Sequence, residues 1–199
     1  MKEPLILASA SPRRRELFSL ISIPFEVIPP KISEELLPGE SPWDHAIRLA
    51  KAKAKDVSRL FPHRWVIGAD TIVFLDKKIL GKPVEKEDAK RMLQFISGRV
   101  HKVVTGYVII NEELRKEISS WVESEVKIKN LSKKEIENYV ATGEPMDKAG
   151  SYGIQGIGAF MVKEIKGSYT NVVGLPLCEV IDSLKDIGAI TEFPIVKKG

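Results

Sequence analysis

The chain of 199 residues carries 31 Lys and Arg against 27 Asp and Glu, a formal charge of +4, with 43% hydrophobic and 29% charged residues. That balance excludes disorder and low-complexity readings, and the length serves one sizeable domain or two lobes sharing a sheet. A pI near 9.0 points to an anionic partner and leaves nucleic acid, a membrane surface and a phosphorylated small molecule open.

From the N-terminus, Pro4–Ser9 reads as a buried strand that runs into a helix capped by Ser11, with Pro12 in its first turn and Leu17, Phe18 and Ile21 on its apolar side. Ser41-Pro42-Trp43-Asp44 repeats the cap-plus-proline signature. It opens a helix to Phe61 with Ile47, Ala50, Ala54, Val57 and Leu60 at helical spacing and Arg48, Lys51, Lys53 and Lys55 on the other face. Trp65–Leu75 reads as one or two strands broken at Gly68-Ala69-Asp70, with a turn at 76–78 leading to Ile79-Leu80. Glu85–Ile96 is a helix closed by Gly98, and 100–110 with 118–128 form a long antiparallel hairpin. Ser132-Lys133-Lys134-Glu135 is a capping box opening a helix to Ala141, and Leu175–Ile187 is a final helix ended by Gly188. Between these two helices lies a Gly-rich stretch, 143–174, in which 159–165 alternates like a strand; Phe193–Gly199 reads as a loose tail. The alternation of strands and helices is an α/β pattern.

Cys178 has no disulfide partner and reads as a small core residue, while His45, His63 and His101 lack the spacing of a zinc site. No apolar stretch approaches the ~20 residues that span a bilayer, and the N-terminus lacks the apolar length of a signal peptide. A soluble, intracellular protein is the expectation.

Several places can carry chemistry. In Ser9-Ala10-Ser11-Pro12-Arg13-Arg14-Arg15 a strand end meets a basic helix start, where unpaired backbone N–H groups and bidentate arginines form a phosphate cradle. Cations at that end oppose the helix dipole, a cost that hints at function; solvated arginines on an ordinary helix are an equally good account. In Gly68-Ala69-Asp70-Thr71 a carboxylate interrupts an apolar run, so Asp70 faces a cleft, a metal or a cation, or else caps a turn, which is the more frequent case. Lys82 in Gly81-Lys82-Pro83 and Lys53 are unspecific alone, as are Glu34 and Glu35 unless a metal recruits them. The element Asp147-Lys148-Ala149-Gly150-Ser151-Tyr152-Gly153-Ile154-Gln155-Gly156-Ile157-Gly158 lets backbone approach a ligand, with Gln155 offering an amide to a base edge. Its glycine order is not a dinucleotide fingerprint, and neither the Walker loop nor the nucleophile elbow occurs.

Taken together, Ser9-Ala10-Ser11-Pro12-Arg13-Arg14, Gly68-Ala69-Asp70-Thr71, Gly81-Lys82-Pro83, Asp147-Lys148-Ala149-Gly150 and Tyr152-Gly153-Ile154-Gln155-Gly156, closed by Gly167-Ser168-Tyr169 and Val172-Val173-Gly174-Leu175-Pro176, resemble the Maf nucleotide pyrophosphatases in order and spacing. The resemblance implies an elongated mixed β-sheet flanked by helices in two lobes with a central cleft, related to the inosine triphosphate pyrophosphatase fold. It also implies a cytoplasmic, often dimeric enzyme dependent on a divalent cation, Mg²⁺ or Mn²⁺, that cleaves nucleoside triphosphates to monophosphate and pyrophosphate. Carried over by motif, Asp70 is the proton acceptor or a metal ligand. Glu34, or its neighbour Glu35, helps hold the metal. Ser9, Arg14, Lys53 and Lys82 line the phosphate site, and Arg13, Thr71 and Gln155 set base choice, in the pattern of the branch that prefers dTTP and UTP. Two alternatives stand beside this: a house-cleaning pyrophosphatase for modified or purine nucleotides, and a basic regulatory protein binding nucleic acid. The second is disfavoured by interleaved acids and the lack of an aromatic stacking platform.

Overall fold

The computed structural model describes residues 3–194, so the tail from residue 195 onward, and Met1 and Lys2, lie outside the described residues. Seven strands form one mixed sheet in the order β2-β1-β3-β5-β6-β7, with β4 pairing β3. Strands β1 (Leu5–Ala8), β2 (Phe25–Val27) and β3 (Val66–Leu75) run parallel, while β4 (Lys78–Leu80), β5 (Val100–Asn111), β6 (Lys116–Ile128) and β7 (Val162–Lys166) add antiparallel pairings. The helices are α1 (Pro12–Ser19), α2 (Pro42–Ser58), α3 (Lys86–Ile96), α4 (Lys133–Ala141), α5 (Tyr169–Val173) and α6 (Leu177–Asp186).

The central strands are buried on both faces, and side-chain alternation sends their apolar residues to opposite sides. Leu5, Leu7, Ile67, Ala69 and Ile109 pack against Leu17 and Phe18 of α1 and Val180 and Leu184 of α6. Ile6, Ala8, Val66, Val108 and Ile110 pack against Ala50, Ala54 and Val57 of α2. Toward the other end of β3 the pattern repeats with new partners: Val73 and Leu75 meet Leu93 and Ile96 of α3 and Ile136 and Val140 of α4. Ile72 and Phe74 lie with Ala46 and Val104. The apolar layers on both faces are thus interrupted at one level of β3, where Asp70 and Thr71 stand.

The sheet has a gap at that same level. β1 pairs β3 as far as Ala8 opposite Gly68, and β4 takes up the same edge at Val73 opposite Leu80. Ala69–Ile72 face no strand on that edge among the described residues.

Helix α2 sits close to the sheet because Gly68 and Gly106 present no side chain to it. A Cβ on Gly68 would lie 2.3 Å from the Ala50 carbonyl oxygen, and one on Gly106 would lie 2.6 Å from the Ala46 carbonyl carbon. The 17-residue helix starts as its sequence indicates, with Pro42 in the first turn and Ser41 Oγ accepting from the Asp44 N–H. The capping box at Ser132 and Glu135 also forms in both directions.

Several sequence expectations change. β3 is one unbroken strand, because Gly68, Ala69 and Asp70 stay in antiparallel register with Val108, Tyr107 and Gly106 of β5. Ser11 is extended but does not cap α1 with its side chain; Ser9 Oγ accepts from the Ser11 N–H instead. Residues 157–161 form a 3₁₀ turn, so the strand expected at 159–165 is confined to 162–166. The last helix starts at Leu177, after Pro176, and is preceded by the short α5, closed by Gly174 at a φ of 129°. Strand β2, only three residues long, gave no sequence signal. Cys178 is exposed on α6, since the apolar stripe of that helix is Leu177, Val180, Ile181 and Leu184. Leu60, beyond the end of α2, is also exposed. No helix among the described residues is long and apolar enough to cross a membrane.

Candidate active site

A cavity of about 660 Å³ opens at the gap between β1 and β4, and its wall includes Ser9, Arg13, Arg14, Glu34, Lys53, Asp70, Thr71, Lys82 and Gln155. The nine positions of this set therefore meet in one place, although they span the chain from residue 9 to residue 155. Glu35 is not part of that wall; its backbone carbonyl accepts from Arg48.

The centre of the site is an ion triad. Lys53 Nζ donates to Asp70 Oδ1 at 2.6 Å and lies 2.5 Å from Glu34 Oε1. Lys53 and Asp70 are both buried, so Lys53 is not a solvated lysine of a basic helix face. Its position follows from α2: close packing over Gly68 brings the middle of the helix against the strand that carries Asp70. Burial pushes the Glu34 carboxyl up, but the hydrogen bond and charge of Lys53, then Lys82 and Arg14, outweigh this and hold it below the ordinary value. Glu34 thus faces the cavity as a carboxylate.

On the opposite face of β3, Arg14 is buried. It donates Nε to the Gly174 carbonyl at 2.7 Å and Nη2 to Thr71 Oγ1 at 2.8 Å. Desolvation lowers its pKa, partly offset by Asp70 and Glu34, yet guanidinium remains charged and its lost hydration is replaced by these two acceptors. Arg13 Nη1 reaches Asp147 Oδ2 at 3.4 Å, and Asp147 also accepts from Lys148. This joins α1 across the cavity mouth to the loop that bears Gln155.

That loop is held by a residue with no signal in the sequence, Glu144. Glu144 accepts from the backbone N–H groups of Ile157 and Gly158 and from Tyr139 Oη, each at 2.9 Å. Burial raises its pKa, and these donors more than reverse the shift. Another unforeseen group is Glu40, which Arg48 first and His45 second hold well below the carboxylate range, at about 2. Both depend on partners that only folding brings close.

Tyr152, also on the cavity wall, makes a 2.7 Å hydrogen bond with Nε2 of buried His101. Burial pushes His101 down from 6.5 to about 4. Between these values the unfolded chain binds a proton that the folded chain refuses, so this contribution to stability is complete above about pH 6.5 and is lost as pH falls toward 4. Urea unfolding at pH 7.5 and 5.0 should show the wild type losing about 2 kcal/mol more than His101→Gln across that interval.

A family model described as Maf-like protein matches residues 4–187. The chain belongs to the Maf family. Curated Maf relatives named dTTP/UTP pyrophosphatase include that of Geotalea uraniireducens, 53% identical over 95% of this chain and 97% of its own. That of Geobacter sulfurreducens is 51% identical over 95% and 99%, and that of Desulfotalea psychrophila 49% over 92% and 93%. A solved structure described as the Staphylococcus aureus Ham1 protein aligns with 63% of this Maf chain and 72% of its own, at a TM-score of 0.42 and 17% identity. A likeness that slight carries no weight.

The donor set of this Maf site suits a hard divalent cation. Two carboxylates, Glu34 and Asp70, converge on one cationic atom, Lys53 Nζ, beside a cavity rich in further cations. Mg²⁺ and Mn²⁺ are satisfied by one or two carboxylates when phosphate oxygens and water complete the shell. No cluster of three or more His, Cys, Asp or Glu exists among the described residues, so protein side chains alone would not saturate such an ion.

Proposed function

We propose that this protein hydrolyses dTTP and UTP to the monophosphate and pyrophosphate. The observation that carries the reading is the Glu34–Lys53–Asp70 triad at the gap in the sheet, on the wall of a cavity that also holds Arg13, Arg14 and Lys82. The names of relatives about 50% identical over nearly the whole chain support the choice of substrate.

The reaction needs a water deprotonated beside the α-phosphorus and a developing pyrophosphate neutralised. Asp70 takes the water's proton. The new bond forms between the water oxygen and the α-phosphorus, and the bond from that phosphorus to the bridging oxygen of the β-phosphate breaks. Lys53 holds Asp70 through Oδ1. Ser9, Lys53, Lys82 and Arg14 receive the phosphates. Arg13, Thr71 and Gln155 meet the base. Glu34 and Asp70 would hold Mg²⁺ or Mn²⁺, which when bound supplies positive charge to the phosphate oxygens. We read the chain as one domain of two lobes sharing the sheet, cytoplasmic, and a homodimer.

The test is pyrophosphate release from dTTP, UTP, CTP, the purine triphosphates and modified nucleotides, with Mg²⁺, with Mn²⁺ and with chelator. Preferential turnover of dTTP and UTP that chelator abolishes is expected. Preferential turnover of purine or modified nucleotides would replace this reading with the house-cleaning one.

A further inference from the structure

Thr71 stands directly across the β3–β5 ladder from Thr105, a residue that is fully buried and absent from the cavity wall. Their hydroxyl oxygens are 2.9 Å apart. Thr105 Oγ1 also lies 3.1 Å from the Asn171 carbonyl oxygen, to which it can only donate. Each hydroxyl has one proton and two acceptor lone pairs, so the polarity of the chain can be worked out. With the Thr105 proton given to Asn171, Thr105 accepts from Thr71, and Thr71 accepts from Arg14 Nη2, leaving one Thr71 lone pair unused. If the Thr105 proton turned to Thr71 instead, the Asn171 carbonyl would lose its donor, and the Thr71 proton would be left to a ligand or to the Gly174 carbonyl at 3.4 Å, which already accepts from Arg14 Nε. The first arrangement satisfies more groups over shorter distances. In that first arrangement the Thr71 proton is committed to Thr105 at 2.9 Å.

The acceptor end of this chain is itself fixed. Asn171 is buried, and its side-chain nitrogen donates to the Val103 carbonyl at 3.1 Å and to Ser124 Oγ at 2.9 Å. The Asn171 carbonyl therefore cannot swing away to release Thr105.

We propose that Thr105 is a positioning residue for base selection: by taking the Thr71 proton, it fixes Thr71 as a pure hydrogen-bond acceptor toward the cavity. Such an acceptor matches the imide ring N–H that uracil and thymine present. It opposes cytosine, whose corresponding ring nitrogen is a bare acceptor, because two acceptors face each other without a proton. The inference rests on the reading of Thr71 as a base-contacting residue and names how that contact discriminates.

The test compares kcat/KM for UTP and CTP in the wild type, Thr105→Val and Thr105→Ser. Valine keeps the shape but removes the acceptor, which frees the Thr71 proton to turn toward a ligand. The UTP-over-CTP preference should fall at least about tenfold, mainly through improved CTP turnover, while serine retains it. Thr105→Ala gives the same readout without a branched methyl, should valine disturb packing. A merely structural role would lower both substrates by one factor, and that outcome, or an unchanged preference in valine and alanine variants, overturns the proposal. Absence of UTP turnover in the wild type overturns the functional reading and this inference together.

Discussion

Asp70→Asn is expected to lower turnover of UTP by about 10³-fold, the range by which a positioned general base accelerates a reaction. The amide keeps the volume and an oxygen that can accept from Lys53, so no void opens next to Ala69 and Thr71. Lys53 also retains Glu34 at 2.5 Å, so its charge is not stranded in a buried site. The variant should therefore unfold near the wild-type midpoint, which separates lost chemistry from lost structure. Pyrophosphate release under saturating substrate, with circular dichroism melts alongside, measures both. Near-wild-type turnover would remove Asp70 from the reaction. The loss is expected whether Asp70 acts as base or as metal ligand. Titration of Mg²⁺ shows whether Asp70 also holds the metal: a ligand's removal raises the metal concentration needed for half-maximal activity, whereas removal of a base that is not a ligand leaves it unchanged.

Gly68→Ala should be the most destabilising single methyl in the molecule's central strand, at about 3 kcal/mol or more. An alanine replacing glycine at a compatible strand position ordinarily stabilises by about 0.4–1 kcal/mol through the unfolded chain. Here the new Cβ would meet the Ala50 carbonyl oxygen at 2.3 Å, the Ala54 nitrogen at 2.7 Å and the Ala54 Cβ at 2.9 Å. The first two are backbone atoms of a 17-residue helix and cannot step aside singly. Relief requires α2 to move off the sheet, which also withdraws Lys53 from Asp70. Stability and turnover should fall together. Gly81→Ala is the control, because nothing lies within 4 Å of a Cβ there and its stability should hold. Urea midpoints for the two variants decide the matter, and a neutral Gly68→Ala would show that α2 is not held by this contact.

Much of the secondary structure was legible because it rests on local physics. The capping box at Ser132 and Glu135, the proline-led start of α2 and the hairpin of β5 and β6 all depend on residues a few positions apart, and all formed. Misreadings arose where a distant partner decided. Gly68 looked like a break in a strand, yet it is the smooth strand position over which α2 packs. Cys178 looked like a core residue, yet the rotation of α6 turns it outward. Lys53 looked no different from Lys51 or Lys55, and burial beside Asp70 separates it from them. Glu144 gave no signal, because its three donors come from Tyr139, Ile157 and Gly158.

The order and spacing of the short motifs carried the resemblance that named the cavity residues, whereas the chemistry of Lys53, Lys82 and Glu34 read alone did not single them out. What each residue does there was left to tertiary structure. The triad of Glu34, Lys53 and Asp70 exists only because a loop, a helix and a strand converge where β1 has ended and β4 has not begun. Likewise the polarity of Thr71 follows from Arg14, Thr105 and, behind Thr105, Asn171, contributed by α1, β5 and α5. Local sequence specifies which groups are available. Their charges and hydrogen-bond directions depend on neighbours tens of residues away, and those are brought within about 3 Å only by the packed fold.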